Sequence, residues 1–487
     1  MKVLKDILYK VPIDSIIGSV DVHINAVEFD SRKVEENTLF VAQKGVTVDG
    51  HQFIDKAITL GAKVVVCEEL PNEVITTVTY VKVDNSDVAL AYIAANFYDN
   101  PSSKLQLVGV TGTNGKTTIA TLLYQLFKKA GFKVGLLSTV KIMVDDVEYK
   151  ATHTTPNSVT INSYLSKMVD EGCEYCFMEV SSHGIHQKRT EGLQFVGGIF
   201  TNLSHDHLDY HETFAEYRDV KKSFFDSLPK SAFALVNIDD KNGMVMLQNT
   251  KASKQTYALK TVADFKAKVL EKRFSGTLLT VNNVEVWTKL IGQFNAYNLL
   301  AIYGTAELLG LEKIEVLRLL SELESVSGRF QYTVSEDNIT AIVDYAHTPD
   351  ALKNVLETIN DIRTGNEKVL TVIGCGGDRD TTKRPKMAYI ASQLSNQAIF
   401  TSDNPRTENP QIILEDMEKG VSAENFKKTL SILDRKQAIK TACKLAVSGD
   451  IILIAGKGHE NYQEINGERF HFDDFEEVTE CFNQLKN

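Results

Sequence analysis

The sequence predicts an α/β protein with three domains, and three observations lead to this fold class. Short runs rich in β-branched residues alternate with helical stretches, which is typical of parallel sheets covered by helices. This alternation starts afresh near residue 335. With 487 residues, the chain is also long enough for two to four domains of the usual size, about 100–200 residues each.

The first domain, residues 1–99, is predicted to be a small α/β unit. FVAQKG and KVVVCEE are predicted strands, and the helix QFIDKAITLG lies between them. The helical stretch VALAYIAANFYD ends just before Asn100-Pro101, and a residue that precedes proline is biased away from helix. We therefore place the first boundary at residue 100.

The central domain, residues 100–334, is predicted to have a parallel sheet like that of P-loop ATPases. LQLVGV (105–110) is a predicted strand, and TTIATLLYQLFKKAG (117–131) is the helix that follows it. Further strands are predicted at KVGLLST, YCFMEV, GGIFTNL and FALVNID.

The third domain, residues 335–487, is predicted to be Rossmann-like. NITAIVDYA leads into the helix DALKNVLETINDI, and KVLTVIGCGG enters a glycine-rich turn. QAIFTSDNP and DIILIAGKGHE are two more strands that open into polar loops.

Charge and composition limit the classes of partner. The chain has 53 Lys and Arg against 64 Asp and Glu, a net charge of −11, whereas nonspecific nucleic-acid binding relies on a basic surface. No apolar run approaches the roughly 18–20 residues that span a membrane, and the N-terminus lacks the apolar segment of a secretion signal. The six cysteines are scattered, as in proteins of a reducing compartment. We expect a cytoplasmic monomer that neither binds nucleic acid nor inserts into a membrane.

The stretch GVTGTNGKTT (109–118) is a candidate phosphate-binding loop. It lies between a predicted strand and a predicted helix, where backbone N–H groups can surround phosphate oxygens. Lys116 would contact the β- and γ-phosphates, and Thr117 would offer its hydroxyl to Mg²⁺. The usual pattern G-x-x-x-x-G-K-[ST] would put its first glycine at position 110, which is Val110. The residues alone leave open a degenerate loop, a chance cluster of small residues, or a variant typical of one enzyme class.

The string TGTNGKTT resembles the ATP loop of the Mur ligases and of their relatives, the folylpolyglutamate and cyanophycin synthetases. Further stretches match signatures of that family in the same order, from about residue 29 almost to the C-terminus. They are HTTP (153–156), MEVSSHGIHQKR (178–189), NLSHDHLDYH (202–211), GQFNAYNLLA (292–301), SGRF (327–330), DYAHTPDAL (344–352), GCGGDRD (374–380), DNPR (403–406) and GKGHE (456–460).

The resemblance implies an ATP-dependent ligase that forms an amide bond through an acyl phosphate. Its implied substrates are ATP, UDP-MurNAc-dipeptide and meso-diaminopimelate. Alternatives within the ligases are an L-lysine-adding homologue and a folylpolyglutamate synthetase-like enzyme. A P-loop regulatory ATPase or kinase is the alternative from a different class. The resemblance assigns ATP binding to Gly112, Thr113, Asn114, Gly115, Lys116, Thr117, Thr118, Asn295, Arg329, Asp344 and His347.

Glu179, His207 and Lys221 are candidates for the catalytic centre, together with Lys116. Glu179 ends one predicted strand and His207 follows another, and loops at the carboxyl ends of parallel strands share one edge of a sheet. Mg²⁺ prefers oxygen ligands, so the residues alone allow a structural or acid–base role for His207. They also allow Lys221 to be a solvated helix lysine, with Lys222 an equal candidate. The resemblance implies two Mg²⁺ ions held by Thr117, Glu179, His207 and Lys221, the last as a carbamate formed with CO₂.

The substrate residues are also assigned by resemblance. The nucleotide-sugar peptide would contact Ser31, Thr47, Thr154, Thr155, Ser181, Gln187 and Arg189. The amino acid would contact Arg379, Asp403, Asn404, Pro405, Arg406, Gly456 and Glu460. Arg406 could hold a second carboxylate of diaminopimelate bidentately, and Glu460 would suit its distal ammonium. From the residues alone, the alternative is that Arg406 is a surface arginine of a loop.

Overall fold

Residues 1–45, 48–204 and 210–485 are described by the computed structural model, and the structural statements below concern these residues. They form three successive α/β units, each built on its own main sheet. The predicted fold class is therefore confirmed. Among the described helices, none combines the length and apolar character that crossing a bilayer requires.

The first unit has a sheet in which β4, β5, β6 and β7 run parallel and β2 pairs antiparallel at one edge. Its strands are β1 (Lys2–Val3), β2 (Ser15–Ile17), β3 (His23–Ile24), β4 (Ala26–Glu28), β5 (Thr38–Val41), β6 (Ala62–Cys67) and β7 (Thr79–Lys82). Its helices are α1 (Leu4–Ile7), α2 (Ile54–Thr59) and α3 (Ser86–Phe97). Asn85 caps the N-terminus of helix α3, and its side chain accepts a hydrogen bond from the Val88 N–H.

The central unit contains the longest sheet, in the order β11-β10-β9-β12-β8-β13-β14-β15-β16-β17-β18. Its strands are β8 (Gln106–Thr111), β9 (Val134–Leu137), β10 (Lys141–Val144), β11 (Val147–Lys150), β12 (Tyr175–Glu179), β13 (Gly197–Phe200), β14 (Phe233–Asn237), β15 (Ser253–Ala258), β16 (Phe265–Arg273), β17 (Gly276–Val281) and β18 (Val284–Thr288). Its helices are α4 (Lys116–Lys129), α5 (Ser158–Asp170), α6 (Ser182–His186), α7 (Phe214–Asp226), α8 (Gly243–Met246), α9 (Gln293–Leu308) and α10 (Lys313–Ser321).

The sheet of the central unit is parallel from β9 to β16 and ends in antiparallel hairpins on both sides. Apolar residues of α4, α9 and α10 cover one face, and those of α5 and α7 cover the other. Strand β8 alternates accordingly, because Val108 belongs to the first cluster and Leu107 to the second. Full burial of a side chain such as Phe127 contributes about 1.5–3 kcal/mol. This packing fixes the edge of the sheet where β8, β12 and β13 end.

The third unit is Rossmann-like, with the strand order β19-β20-β24-β21-β22-β23 and parallel pairing everywhere except at β19. Its strands are β19 (Gln331–Val334), β20 (Thr340–Asp344), β21 (Val369–Ile373), β22 (Gln397–Phe400), β23 (Thr429–Ser431), β24 (Ile451–Ala455), β25 (Tyr462–Ile465) and β26 (Glu468–His471). Its helices are α11 (Pro349–Ile362), α12 (Lys383–Leu394), α13 (Pro410–Glu418), α14 (Arg435–Leu445) and α15 (Asp474–Leu485). The domain limits remain a prediction; β19 belongs to this sheet although it precedes residue 335.

Candidate active site

The glycine-rich segment between β8 and α4 adopts a conformation that requires glycine at two positions. Gly112 and Gly115 have φ values of +145° and +93°, which glycine tolerates without steric cost. A Cβ atom on Gly112 would clash with Thr201, and one on Gly115 would lie 2.7 Å from Asn298 Oδ1. Val110 is a fully buried residue of β8. The position of the motif's first glycine is therefore occupied by Val110 within strand β8. The loop itself keeps the glycines that its backbone needs.

Lys116 folds back over this loop at the start of α4. Its Nζ donates hydrogen bonds to the carbonyl oxygens of Gly112 at 2.9 Å and Thr113 at 2.7 Å. The Thr113 hydroxyl lies 3.1 Å from the Tyr217 hydroxyl, and Thr118 is buried in the first turn of α4. A cation and the N-terminus of a 14-residue helix thus meet at one turn, an arrangement that favours phosphate binding.

Glu179 lies beside the phosphate loop because β12 pairs with β8 in a register that sets it opposite Val110. Its carboxylate is fully buried and accepts hydrogen bonds from the Thr117 hydroxyl at 3.0 Å and the Thr139 N–H at 2.7 Å. Both donors are neutral, and a carboxylate has about four lone-pair sites. A buried carboxylate and a hydroxyl side by side fit the oxygen chemistry that Mg²⁺ prefers.

Lys221 and Lys222 are both buried on α7, but their amines face different surroundings. Lys221 Nζ lies 3.0 Å from the Gly112 carbonyl oxygen and 4.7 Å from the centre of the Tyr217 ring. Lys222 Nζ instead forms an ion pair with Asp226 at 2.6 Å, one turn along the same helix. The Lys221 amine is the one directed at the phosphate loop, where a carbamate would present oxygen atoms to a cation.

Of the four residues predicted to bind the metal, the structure describes Thr117, Glu179 and Lys221. His207 lies outside the described residues. Thr47, from the predicted nucleotide-sugar site, also lies outside them. Within the described ranges, His, Cys, Asp and Glu side chains form no ready-made cluster of three or more for a metal ion. The assignment of these residues to Mg²⁺ remains a prediction.

Arg329 connects the third unit to the phosphate loop. Its Nη2 donates a hydrogen bond to the Thr117 hydroxyl at 3.2 Å, and its guanidinium lies 4.5 Å from the centre of the Tyr345 ring. The Tyr345 ring in turn contacts the rings of His347 and His459, at 4.5 and 5.1 Å between centroids. Cation–π contact and stacking therefore hold the arginine, and the sequence analysis did not single out Tyr345.

Asp344 and Asn295 are two further residues that are predicted to bind ATP. Asp344 is buried and accepts a hydrogen bond from the Phe330 N–H at 2.7 Å. Desolvation raises the pKa of Asp344 to about 6, against the opposing charge of Arg329. Asn295 accepts a hydrogen bond at 3.1 Å from Asn298, the side chain that also contacts the phosphate loop. Contact of these residues with a nucleotide remains a prediction.

Most residues predicted for the nucleotide-sugar peptide form one connected group beside Glu179. The Thr155 hydroxyl donates to the Glu179 carbonyl oxygen at 2.9 Å, and Arg189 Nη1 donates to the Thr155 carbonyl oxygen at 2.5 Å. Gln187 accepts from Arg189 at 2.6 Å and donates to the Tyr210 hydroxyl at 3.1 Å. The same group includes Thr154 and Ser181.

Ser31 belongs to a different part of the molecule. It is buried at the start of a short 3₁₀ helix, Ser31–Lys33, in the first unit. Among the described residues, no hydrogen bond connects Ser31 with the group around Arg189. Its predicted contact with the nucleotide-sugar peptide therefore stays a prediction.

The DNPR and GKGHE loops meet at the carboxyl ends of β22 and β24. Asn404 donates a hydrogen bond to Glu460 at 2.7 Å and accepts one from Lys457 at 3.2 Å. Lys457 is fully buried, and its Nζ lies 3.6 Å from the Glu460 carboxylate. A Cβ atom on Gly456 would lie 2.6 Å from the Asp403 carboxylate, so these loops need a glycine at that point. Burial, and then the nearby charge of Asp403, raise the pKa of Glu460.

Arg406 approaches this pocket from the DNPR loop and is held at its backbone. Its φ of +51° is uncommon for a residue other than glycine, and its N–H donates to the Glu464 carbonyl oxygen at 3.0 Å. Its Nη1 donates to the Gly377 carbonyl oxygen at 2.6 Å, in the turn that also carries the exposed Arg379. Pro405 is buried beside the same turn. The structure therefore brings Arg379 and Arg406 to adjacent turns.

Two further charged side chains support these turns, and the sequence analysis missed both. One is Lys457, described above. The other is Arg384, which is buried and forms ion pairs with Glu408 at 2.9 Å and Asp416 at 3.0 Å. Glu408 also accepts the Asp378 N–H at 2.5 Å, so Arg384 connects the turn at Asp378 to the segment that follows DNPR. Lys457 lies within GKGHE, and Arg384 follows GCGGDRD by four residues. Burial distinguishes both from exposed lysine and arginine side chains, and it was not visible in the sequence.

Comparison with known proteins gives matches along most of the chain. Three family models match: the Mur ligase family catalytic domain at residues 23–98, the Mur ligase middle domain at 110–306, and the Mur ligase glutamate ligase domain at 328–458. The UDP-N-acetylmuramoyl-L-alanyl-D-glutamate–2,6-diaminopimelate ligase of Cytophaga hutchinsonii is 56% identical over 483 residues, 99% of both chains. The protein of that name in Phocaeicola vulgatus is 55% identical over 479 residues, 98% of this chain and 99% of the relative.

Solved structures give the same result. A structure of UDP-N-acetylmuramoyl-L-alanyl-D-glutamate–2,6-diaminopimelate ligase superimposes with a TM-score of 0.70 at 32% identity, covering 100% of this chain and 99% of the other. The MurF ligase of Thermotoga maritima in complex with ADP has a TM-score of 0.63 at 19% identity, covering 95% of this chain and 98% of the other, which indicates the shared fold. With relatives above half identity over nearly its whole length, the chain belongs to the Mur ligase family.

Proposed function

We propose that the chain is an ATP-dependent ligase that joins meso-diaminopimelate to UDP-N-acetylmuramoyl-L-alanyl-D-glutamate. The observation that carries the proposal is the 56% identity, over 99% of both chains, to a protein named as the 2,6-diaminopimelate ligase. The described residues support it in two ways. The buried Glu179 carboxylate lies beside the phosphate loop, and the DNPR and GKGHE loops form a pocket with charged side chains.

The phosphate side of the site would activate a substrate carboxylate. The γ-phosphoryl group of ATP passes to that carboxylate, which gives an acyl phosphate and ADP. Lys116 and the N–H groups of the loop hold the phosphates, and Arg329 adds a second cation from the segment between α10 and β19. Thr117, Glu179, His207 and the carbamate of Lys221 would hold Mg²⁺, which when bound offsets charge on the transferring oxygens.

The amino-acid side would supply the nucleophile in a fixed orientation. The amine of the incoming amino acid attacks the acyl carbon, the amide bond forms, and phosphate leaves with the electron pair of the broken C–O bond. No protein nucleophile takes part, so positioning accounts for most of the remaining rate. Arg406 would pair with the distal carboxylate of diaminopimelate, and Glu460 with its distal ammonium.

Selection of diaminopimelate over L-lysine is the finer part of this proposal and is tested at Arg406. L-lysine lacks the distal carboxylate, so Arg406→Ala should affect the two amino acids differently. Removing one partner of a desolvated charge pair costs about 2–5 kcal/mol, which predicts that kcat/KM for meso-diaminopimelate falls about 30-fold or more. The KM for ATP should stay close to its wild-type value. An equal loss with L-lysine would show that Arg406 does not select the side chain.

The ligase activity itself is tested by phosphate release from ATP. We expect release only when both UDP-MurNAc-dipeptide and meso-diaminopimelate are present. A regulatory ATPase or kinase would release phosphate without regard to the two co-substrates, and that result would refute the proposal. A folylpolyglutamate synthetase-like enzyme would instead respond to a folate and glutamate.

We further propose that the protein acts as a cytoplasmic monomer with two Mg²⁺ ions at the site. The state of the cysteines supports the compartment, since all six are free and buried. Sedimentation of the purified chain at several concentrations tests the monomer. A mass larger than the 54.2 kDa of one chain would contradict it.

A further inference from the structure

Two cysteines far apart in sequence share one small cavity in the third unit. Cys443 lies on α14 and Cys481 on α15, and both belong to the apolar cluster that these helices form with the sheet. They are 2% and 7% exposed. Both line a cavity of about 120 Å³, together with Lys440, Lys444 and Gln484. A space of that volume is large enough to admit a molecule the size of hydrogen peroxide, since one water occupies about 30 Å³ of liquid.

The two thiols differ in acidity. The hydrogen bond with Cys443 lowers the pKa of Cys481. Burial and the carboxylates of Glu477 and Glu480 oppose this effect, and the positive charge of Lys440 assists it. The same hydrogen bond and burial raise the pKa of Cys443. Both thiols line an opening that Lys440 and Lys444 also line, and Cys481 is the member of the pair whose pKa is lowered, the property that favours reaction with oxidants.

We propose that Cys443 and Cys481 form a dithiol site that reacts with peroxides and closes to a disulfide between α14 and α15. The Cys481 thiolate attacks a peroxide oxygen, so that an S–O bond forms, the O–O bond breaks and, for hydrogen peroxide, water leaves after protonation. The Cys443 sulfur then attacks the sulfenic sulfur, so that the S–S bond forms and the S–O bond breaks, and the hydroxyl group leaves as a second water with the proton of the Cys443 thiol. Two thiols lose two electrons in total, and the peroxide gains them.

The site is separate from the proposed catalytic cleft, although its helices support one loop of the cleft. Arg435 begins α14 and is fully buried against Asp474 at the start of α15, with an ion-pair distance of 2.7 Å. Arg435 also donates to the carbonyl oxygen of Ala455 at 3.0 Å, one residue before Gly456. The thiols occupy later positions on the same two helices. Because these two thiols take no part in the proposed ligase reaction, their oxidation can be measured by mass without a turnover assay.

The chain offers a matched control in its other close pair, Cys173 and Cys176. Cys176 is 0% exposed within β12, and burial raises the pKa of both thiols. Neither therefore has the thiolate character that the reaction requires. Cys67 and Cys375 are likewise buried with a raised pKa. Peroxide should leave these four as thiols while it consumes the other two.

The experiment treats the full chain with equimolar hydrogen peroxide, blocks the remaining thiols with N-ethylmaleimide, and records the intact mass and the digested peptides. We expect a disulfide-linked peptide pair containing Cys443 and Cys481, a mass loss of about 2 Da from the two hydrogens, and two fewer maleimide adducts. Dithiothreitol should restore both thiols. Cys443→Ser and Cys481→Ser should each prevent the link, and Cys176→Ser should leave it intact.

The wild-type peptide map decides the question even where a serine variant fails to fold. A disulfide requires Cα atoms within about 7 Å of each other, so the link also tests the packing of α14 against α15. The proposal is wrong if all six thiols remain equally available after peroxide. It is also wrong if the linked peptides join another pair, or if peroxide drives Cys443 and Cys481 separately to sulfinic acids.

Discussion

Replacing Lys457 by methionine would remove the buried cation between the DNPR and GKGHE loops. Its Nζ donates hydrogen bonds to Asn404 Oδ1 at 3.2 Å and to the Tyr462 carbonyl oxygen, and it lies 3.6 Å from Glu460. Methionine has a similar length and no charge, so the change removes these interactions with little change in volume. Glu460 would then face the negative charge of Asp403 with only the weaker effect of Arg406, among the charges that lower its pKa, left to oppose it.

The magnitude follows from the distance between Lys457 and Glu460. Two unit charges at 3.6 Å attract each other by about 4.6 kcal/mol at an effective dielectric constant of about 20. Breaking a buried ion pair from one side costs about 3–5 kcal/mol. Lys457 lowers the pKa of Glu460, which burial and Asp403 raise, so its removal raises that pKa further. A protonated Glu460 binds the distal ammonium of the amino acid less well. We therefore expect the binding free energy of meso-diaminopimelate to weaken by at least about 2 kcal/mol.

The assay is steady-state phosphate release with UDP-MurNAc-dipeptide at saturation. For Lys457→Met at pH 7, we expect the KM for meso-diaminopimelate to rise by about 30-fold or more. An acid with a raised pKa ionises only at higher pH, so part of the loss should recover as the pH is raised above 7. The exposed Lys427 of the same unit provides the control. Lys427→Met should change neither the KM for meso-diaminopimelate nor the KM for ATP. An unchanged KM for the amino acid, or an equal rise in the KM for ATP, would refute the reasoning.

Three further predictions concern the phosphate side. Lys221→Ala should abolish turnover while Lys222→Ala, which removes only a helix ion pair, keeps near-normal rates; substantial turnover by Lys221→Ala would exclude the carbamate. Tyr345→Leu should lower kcat/KM for ATP about 2- to 30-fold, because its contact with Arg329 contributes about 0.5–2 kcal/mol. Tyr345→Phe should restore most of that loss, and equal losses would assign the effect to the hydroxyl. Burial raises the pKa of Asp344 to about 6, so kcat/KM for ATP should fall as the pH drops through about 6. If the Asp344→Asn variant keeps the same inflection, another group is responsible for it.

The phosphate loop was open to prediction because its determinants are local. The glycines at 112 and 115, Lys116 and the helix that follows all lie within a few residues of one another. Glu179 could be added because neighbouring parallel strands end at one edge of a sheet. Motif order then indicated which loops of the third domain belong to the site.

The residues that the sequence did not reveal are those whose role depends on contacts between distant segments. Lys457 gains its role from burial against Asn404, 53 positions away in the chain. Tyr345 supports Arg329 by packing across the start of the third unit. The resemblance favoured Lys221 over Lys222, but the residues alone left both lysines open. The direction of each amine is what distinguishes them in the structure. Burial and direction are tertiary properties that no local pattern encodes.

The central claim is tested most directly by the mass of the product that the purified chain forms from UDP-MurNAc-dipeptide, meso-diaminopimelate, ATP and Mg²⁺. The account predicts a nucleotide-sugar tripeptide with one new amide bond, formed together with equal amounts of ADP and phosphate. Formation of ADP without the tripeptide would contradict it, as would L-lysine incorporation in preference to diaminopimelate when both are present at equal concentration.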